Sequence, residues 1–455
     1  MKLAGDVPTV LFSVEIIARE LDSKLVTASA LAARGCRSIV GHKEAITAIG
    51  QASERIVWQG KGLFSDRSTR HLADDLINRR SITMFHQDEG AMHPVNSWTE
   101  NVLQKHYVDH IRKRNISRVC MWGARQKHVY LAHAPEVNGA VTVTGSPRFD
   151  LCLPKYAWMT ENSERLPAKH APYILICTRF TAIAHAEGID DPFRRKLNPK
   201  IWPESFDMGK VTDLWFTKWR RDVQDFADFV VLTKEIAANF PSYTILLRPH
   251  PSESLAFYKQ AFSSFANVVV TREGGVLPWI RSAALVVHSN CTTGIEAVLA
   301  GRPVLNLLPE SAGRTETDVE VAREAGVTVS SVGEALEKAG ELLAGKFAPH
   351  VWSPHAASML SNLQMEAMPM MADETLRVLE HGKVTSSKVS MPPSTYHLRN
   401  AARRIIRGKN AYVTSKRGPL DVKYIERVIE GCRVHHGGGG RIRHATDHYV
   451  VIEPV

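Results

Sequence analysis

Two short apolar runs constrain this chain more than any other feature in it. Ala284–Val287 stops abruptly at the polar stretch His288–Gly294, and Tyr243–Leu247 stops at Arg248–Glu253. Continuous apolar runs of this length are the pattern of strands buried on both faces of a parallel sheet. The residues that follow such strands emerge at the carboxyl edge of the sheet, where open α/β folds bind ligands. After the second run, Ser289, Asn290, Thr292, Thr293 and Gly294 lead into the helical pattern Ile295–Ala300. A helix opening on small hydroxyl residues offers backbone N–H groups and a positive dipole end, which is an anion site. Arg248 and His250 from the neighbouring strand add charge-assisted donors. The simplest ligand for such a corner is a phosphate or diphosphate. The plainer reading is that Arg248 and His250 cap a strand and that Thr292 and Thr293 cap a helix.

The rest of the chain alternates in the same way. Val7–Val14 reads as a strand, Glu15–Arg34 as a helix and Ser38–Gly41 as the next strand, without a Gly-x-Gly-x-x-Gly between them. A dinucleotide site is therefore not expected there. Glu15, Arg19 and Asp22 sit at the end of that first strand and on the first helix, placed to hold a sugar or to form helix-end ion pairs. Ile82–Phe85 reads as a strand ending in His86 to His93, where Asp88 or Glu89 is a candidate general base. Val141–Thr144 leads to Gly145–Asp150, which offers Arg148 and, as a candidate catalytic carboxylate, Asp150. A polar stretch over 162–170 reads as a linker. The strand Tyr173–Thr178 opens a second domain, with Arg179 and His185 at its exit, and Trp215–Asn239 reads as one long helix. The expected organisation is an N-terminal Rossmann-like domain over 1–155, a C-terminal nucleotide-binding one over 170–345, a helical return over 346–385 and a basic extension over 386–455.

Composition narrows the class. With 455 residues, 44% of them hydrophobic and 23% charged, the chain has the make-up of a multi-domain globular protein. Its net charge of +10 favours an acidic partner such as a nucleotide or an anionic surface. Nucleic acid is not expected, because no basic motif is interleaved with aromatics. The six cysteines are scattered without a Cys-x-x-Cys pair, which points to reduced thiols in a cytoplasmic protein. No run is long enough to span a bilayer, so membrane contact is expected to be peripheral, through the basic stretch Arg399–Arg417. No metal site is expected: His435 and His436 lack further ligands, and no Asp-x-Asp pair is present.

Five segments carry a resemblance. EIIARELD at Glu15–Asp22, DEG at Asp88–Gly90, TGSPRFD at Thr144–Asp150, RPHPSE at Arg248–Glu253 and HSNCTTGIEA at His288–Ala297 resemble, in this order, the bacterial surface carbohydrate biosynthesis proteins. These are GT-B glycosyltransferases of polysaccharide gene clusters. The resemblance covers roughly residues 7 to 310. The His-Pro element followed by a Ser/Thr element is also similar to enzymes using CMP-activated sugars, the Kdo transferases and polysialyltransferases, and more distantly to CDP-glycerol polymerases.

The resemblance implies a GT-B fold, α/β with two Rossmann-like domains facing each other across a cleft. His250 and Ser289–Thr293 would hold the nucleotide phosphate, Glu296 would reach the ribose, and Arg248, Glu253, His288, Asn290 and Gly294 would shape the site. Glu15, Arg19, Arg148 and His185 would meet the donor or acceptor sugar. Asp150, or Asp88 and Glu89, would act as base or nucleophile. The chain departs from the pattern at Arg179, where the family tends to carry Asn. The implied activity is metal-independent transfer of a sugar, foremost a CMP-activated ulosonic acid such as Kdo, to a lipopolysaccharide, capsule or O-antigen acceptor. No cofactor beyond the nucleotide-sugar donor is expected. The alternatives are a UDP-sugar transferase, a UDP-sugar 2-epimerase of the same fold, and a non-catalytic glycan-assembly scaffold.

Overall fold

The computed structural model describes residues 2–3, 7–61, 72–86, 97, 117–161, 165–202, 206–309, 318–391 and 418–455. They form two compact units. One holds the described residues up to 86, those from 117 to 151 and those from 357 onward; the other holds residues 97 and 152–356. Each unit is built on its own largely parallel sheet, so the α/β fold with two Rossmann-like units, the GT-B composition, is what the chain adopts.

In the first unit the strands are β1 (Thr9–Val14), β2 (Arg37–His42), β3 (Val57–Lys61), β4 (Ile82–His86), β5 (Arg118–Met121) and β6 (Val141–Val143). They lie parallel in the order β2-β1-β3-β4-β5-β6. Helix α1 (Ile17–Ala32) carries β1 over to β2, and α2 (Lys43–Ala52) carries β2 over to β3. Because the run begins in the middle and grows outward both ways, its switch point falls between β1 and β3. Leu11, Ile39, Trp58, Phe85, Val119 and Met121 share one buried cluster.

In the second unit β7 (Tyr173–Cys177), β8 (Thr244–Arg248), β9 (Val268–Val270), β10 (Leu285–His288), β11 (Val304–Leu307) and β12 (Val327–Val329) are all parallel. Their order is β9-β8-β7-β10-β11-β12. Numbered within the unit this is 3-2-1-4-5-6, the nucleotide-binding order, with its switch point between β7 and β10. The continuous apolar runs now have their reason. Ile174, Ile176, Ile245, Leu247, Leu285 and Val287 join one core, while Tyr173, Leu175, Leu246 and Val286 join the other. Burying each such side chain contributes about 1.5–3 kcal/mol.

Helix α3 (Met208–Asn239) crosses between β7 and β8 and starts about two turns before the expected Trp215. The start signal is Asp207, whose carboxylate accepts from Gly209 N at 2.9 Å and Lys210 N at 3.2 Å. Its buried stripe is apolar toward the end, at Phe229, Leu232 and Ile236, but charged in the middle, at Arg221, Asp222 and Asp225.

From residue 357 the chain belongs to the first unit, including the described part of the stretch expected as a basic extension. Helix α5 (Ala367–His381) belongs to the first unit. Residues 418–455, expected as a basic extension, form α6 (Val422–His436) and a hairpin, β13 (Arg441–Ala445) and β14 (Tyr449–Glu453). β14 pairs antiparallel with β2, and Val450, Val451 and Ile452 are fully buried there. A second short helix on the way, α4 (Thr292–Leu299), opens at the end of β10. Arg399–Arg417 lies outside the described residues. No described helix is long and apolar enough to cross a membrane.

Candidate nucleotide site

The register of β7, β8 and β10 brings Thr178–Arg179, Arg248 and His288–Thr293 to one edge of the second sheet. The turn after β10 is tight. Asn290 sits at φ +45°, a left-handed conformation that costs a non-glycine residue energy. Its side chain offsets that cost by accepting from Val319 N at 2.7 Å and donating to Val319 O at 3.3 Å. Its own N–H donates to Asn306 Oδ1 at 3.0 Å. The turn then enters α4, whose N-cap position, Cys291, makes no side-chain cap hydrogen bond, and no acid lies in the first turn. Thr292 and Thr293 are therefore the first helical residues rather than caps; the Gly294 N–H donates to the Cys291 carbonyl at 2.9 Å, and among the described residues the Thr292 and Thr293 amides have no partner. Ser289 Oγ is buried without a hydrogen-bond partner among the described residues.

Arg179 fixes this turn. Its Nε donates to the Ser289 carbonyl at 2.6 Å, and its two terminal nitrogens donate to Asp222 at 2.7 Å and Asp225 at 2.6 Å. Arg221 reaches Asp225 at 3.2 Å and Asp318 at 3.3 Å, Arg323 pairs with Asp318 at 2.6 Å, and Lys218 pairs with Asp222. Burial works against the Arg179 charge, but Asp222 and Asp225 overcome it and hold its pKa above the ordinary value. Among the described residues this cluster has four cations, Arg179, Lys218, Arg221 and Arg323, against three carboxylates, Asp222, Asp225 and Asp318. A buried cluster that fixes this turn beside a helix N-terminus without a side-chain cap gives the edge a rigid frame for an anion. Sequence reasoning marked Arg179 only as a departure from a family. The available signal was the i, i+4 pairing of Lys218 with Asp222 and of Arg221 with Asp225 on one helix.

Several expected ligand residues serve the frame instead. Arg248 donates to the carbonyls of Glu273 at 2.9 Å, Arg272 at 3.4 Å and Gly274, and lies 5.9 Å from the Trp279 ring centroid. It clamps the loop after β9; burial lowers its pKa to about 10. His288 is fully buried. Its Nδ1 accepts from Cys291 N at 3.2 Å and its Nε2 lies 2.9 Å from the Ala325 carbonyl, so it is a neutral strut inside the turn. Burial lowers its pKa to about 4. Gly294 is required by that ring: a Cβ there would come within 2.2 Å of His288 Nε2. Glu253 is buried, accepting from Thr178 Oγ1 at 2.6 Å and from Tyr258 Oη at 2.5 Å, and burial raises its pKa to about 7. It shapes the edge rather than lining it. His250 is exposed, with its N–H donating to Thr178 Oγ1 at 3.3 Å and its Nδ1 accepting from Ser252 N at 3.2 Å. Glu296, one turn into α4, is partly exposed. Ser289, Thr292, Thr293, His250 and Glu296 are thus the expected residues left facing this edge.

His185 belongs to the same unit, with its backbone bridged to Glu253. His185, Glu187 and Asp191 place possible ligand atoms within 4.8 Å of one another. Asp191 is held by Arg194 at 3.2 Å and by Arg195, and Arg195 also lies 3.2 Å from His185 Nε2. The cluster is an ion-pair knot, in which Arg195 stands where a cation would have to enter.

In the first unit the catalytic role expected of Asp150 is not what the side chain does. It is buried, accepts from Asn362 Nδ2 and from Met368 N, both at 2.6 Å, and so caps the start of α5. Burial raises its pKa to about 7. Glu15 donates its backbone N–H to Glu20 at 3.0 Å, while Arg19 and Arg148 line a small pocket of about 50 Å³ at the β1–β3 switch point. Asp88 and Glu89 lie outside the described residues.

A scan against protein-family models finds no match, and a search of curated proteins finds none. Among solved structures the chain is similar to a UDP-GlcNAc 2-epimerase from Methanocaldococcus jannaschii, at 14% identity and a TM-score of 0.49, over 82% of this chain and 99% of that one. It is similar to a UDP-N-acetylglucosamine 2-epimerase from Rickettsia bellii, at 10% identity and a TM-score of 0.47, over 83% and 97%. It is also similar to Anabaena Alr3699/HepE in complex with UDP-glucose, at 11% identity and a TM-score of 0.42, over 82% and 99%.

Proposed function

We propose that this chain is an enzyme acting on a nucleotide-activated sugar, with the nucleotide phosphate at the switch point of the second sheet. The observation that carries the reading is the meeting, between β7 and β10 of a 3-2-1-4-5-6 sheet, of a helix N-terminus without a side-chain cap and a turn anchored by Arg179 to a buried ion-pair cluster. In such a reaction the nucleotide leaves as an anion, and donors that are already fixed stabilise it without reorganising. Ser289 Oγ and the amides of Thr292 and Thr293 would face the phosphate, with His250 at the rim and Glu296 toward the ribose.

The structure bears on which donor to test first. Transfer of a CMP-activated ulosonic acid with Asp150 as nucleophile is the less favoured reading, because the Asp150 carboxylate is held by Asn362 and α5. UDP-linked sugars therefore come first, with either transfer to a glycan or epimerisation at the sugar as the reaction. The test is a calorimetric titration of the full chain with UDP, CDP, CMP and GDP. A ligand that binds only the folded state also raises Tm by mass action. We expect micromolar-range binding of one of them, weakened about tenfold in Ser289→Ala, as for loss of one hydrogen bond to a charged group. Product analysis with UDP-GlcNAc then separates transfer from epimerisation. Binding of none of the four would sink the reading.

A further inference from the structure

Helix α3 has two faces, and both carry apolar residues. The inner face holds Asp222 and Asp225 against Arg179 and packs Phe229, Leu232 and Ile236 into the core. The opposite face of a surface helix is ordinarily polar. Here Phe216 is 52% exposed, Val231 45% and Val223 36%, and Ala227 between them is exposed too. At about 100° per residue these four fall within an arc of about 80°, so they form one stripe rather than scattered side chains. A continuous exposed apolar stripe marks a contact surface. Three exposed charged residues share the arc: Asp213 and Lys234 at its two ends, and Arg220 within it. From Asp213 to Lys234 the stripe spans about 30 Å of helix.

The order of these residues is self-complementary. A second copy of α3, laid antiparallel with the two-fold axis beside Val223, sets Asp213 against Lys234 and Phe216 against Val231. Each meeting occurs twice, as in any isologous contact. Arg220 then lies over Ala227, whose small side chain leaves room for the guanidinium stem. Val223 of one copy lies beside Val223 of the other. The same stripe laid parallel would set Asp213 against Asp213 and Lys234 against Lys234, which repel. In the single chain Lys234 pairs with its neighbour Glu235 at 2.9 Å, with its side chain 58% exposed. A pair that exposed contributes little, and an ammonium has three donors, so Lys234 can turn to a second carboxylate.

We propose that this chain forms a two-fold homodimer through the outer face of α3, antiparallel and centred on Val223, with Asp213 of each copy paired to Lys234 of the other. Such a dimer uses the outward face alone and does not depend on the nucleotide-sugar reading.

The experiment is sedimentation velocity of the full chain at low ionic strength across about 1–50 μM, which brackets a micromolar association. At the upper end the parent chain should run at twice its monomer mass of 50.6 kDa. Val223→Arg brings two guanidinium groups together at the axis, and Ala227→Arg sets one against Arg220; each should leave monomer over the whole range. Ala227→Glu gives Arg220 of the other copy a carboxylate and should tighten the dimer, a gain that misfolding cannot imitate. Asp213→Lys and Lys234→Asp should each weaken association about threefold to tenfold, as expected for two exposed ion pairs turned repulsive, and combining them should restore it. An antiparallel contact predicts that rescue and a parallel one does not. Circular dichroism of each variant shows that it is folded. A parent chain that sediments as monomer throughout, a dimer that survives both arginine variants, or charge changes that fail to rescue each other would overturn the proposal.

Discussion

Arg179 illustrates what a single residue does in this chain. A side chain that reads as a family exception becomes the link between three segments: the end of β7, the middle of α3 and the Ser289 turn. Arg179→Gln should lower the stability of the second unit by up to about 3 kcal/mol, because it leaves buried Asp222 and Asp225 with only Lys218 and Arg221 as cationic partners. Nucleotide affinity should fall with it, and Arg179→Lys should restore part of the stability but little of the affinity, since one ammonium cannot hold Ser289 O and two carboxylates together. Chemical denaturation and calorimetric titration of the two variants check this; equal affinity in parent and Gln variant would remove Arg179 from the site. The same scale shows what the sequence left illegible. That Asp150 follows a strand and lies beside Arg148 is visible in the chain, but its partners Asn362 and Met368 are more than two hundred positions away. A carboxylate spent on a distant helix looks, in sequence, like one kept for chemistry.

At the scale of elements the reading was closer. The β7, β8 and β10 strands were legible because a strand covered on both faces has no polar alternation to blur it. The anion corner was legible because its parts are local to β10 and α4. Its internal geometry was not: His288 turned inward, against Gly294, for reasons of packing. Gly294→Ala should force the His288 ring away from the Cys291 amide, costing about 1–3 kcal/mol as an overpacked site does, and should open the turn that precedes α4. Amide exchange at Cys291 and Thr292 would rise in that variant; unchanged exchange with unchanged Tm would show that the turn tolerates the methyl group. The hairpin β13–β14 is not legible in the sequence because the Arg441–Ala445 strand is basic with no buried residue, and pairing to β2 is a long-range fact.

The two units differ in how their buried ionisable groups respond to pH, and this is a property of the whole chain. In the first unit burial raises Asp22 from its ordinary 3.8 to about 6, against the opposing hydrogen bond from Tyr424 at 2.8 Å, and raises Asp150 to about 7. A carboxyl raised in this way holds a proton that the unfolded chain has already released. Its contribution to stability is therefore complete below pH 4 and is lost as pH rises through 6 to 7. In the second unit Glu253, raised to about 7, acts in that direction, but His288, lowered to about 4, acts in the other: its contribution is lost as pH falls from about 6.5 toward 4. Between pH 4.5 and 7.5 these two oppose each other. Differential scanning calorimetry across that range should show one transition that moves to lower temperature as pH rises, belonging to the first unit, and a second that moves less. Asp22→Asn preserves an acceptor for Tyr424 and removes the charge, so it should flatten the first slope by on the order of 2 kcal/mol between the extremes. A first-unit transition that rises with pH, or one that keeps its slope in Asp22→Asn, would mean that Asp22 ionises as freely in the folded chain as in the unfolded one.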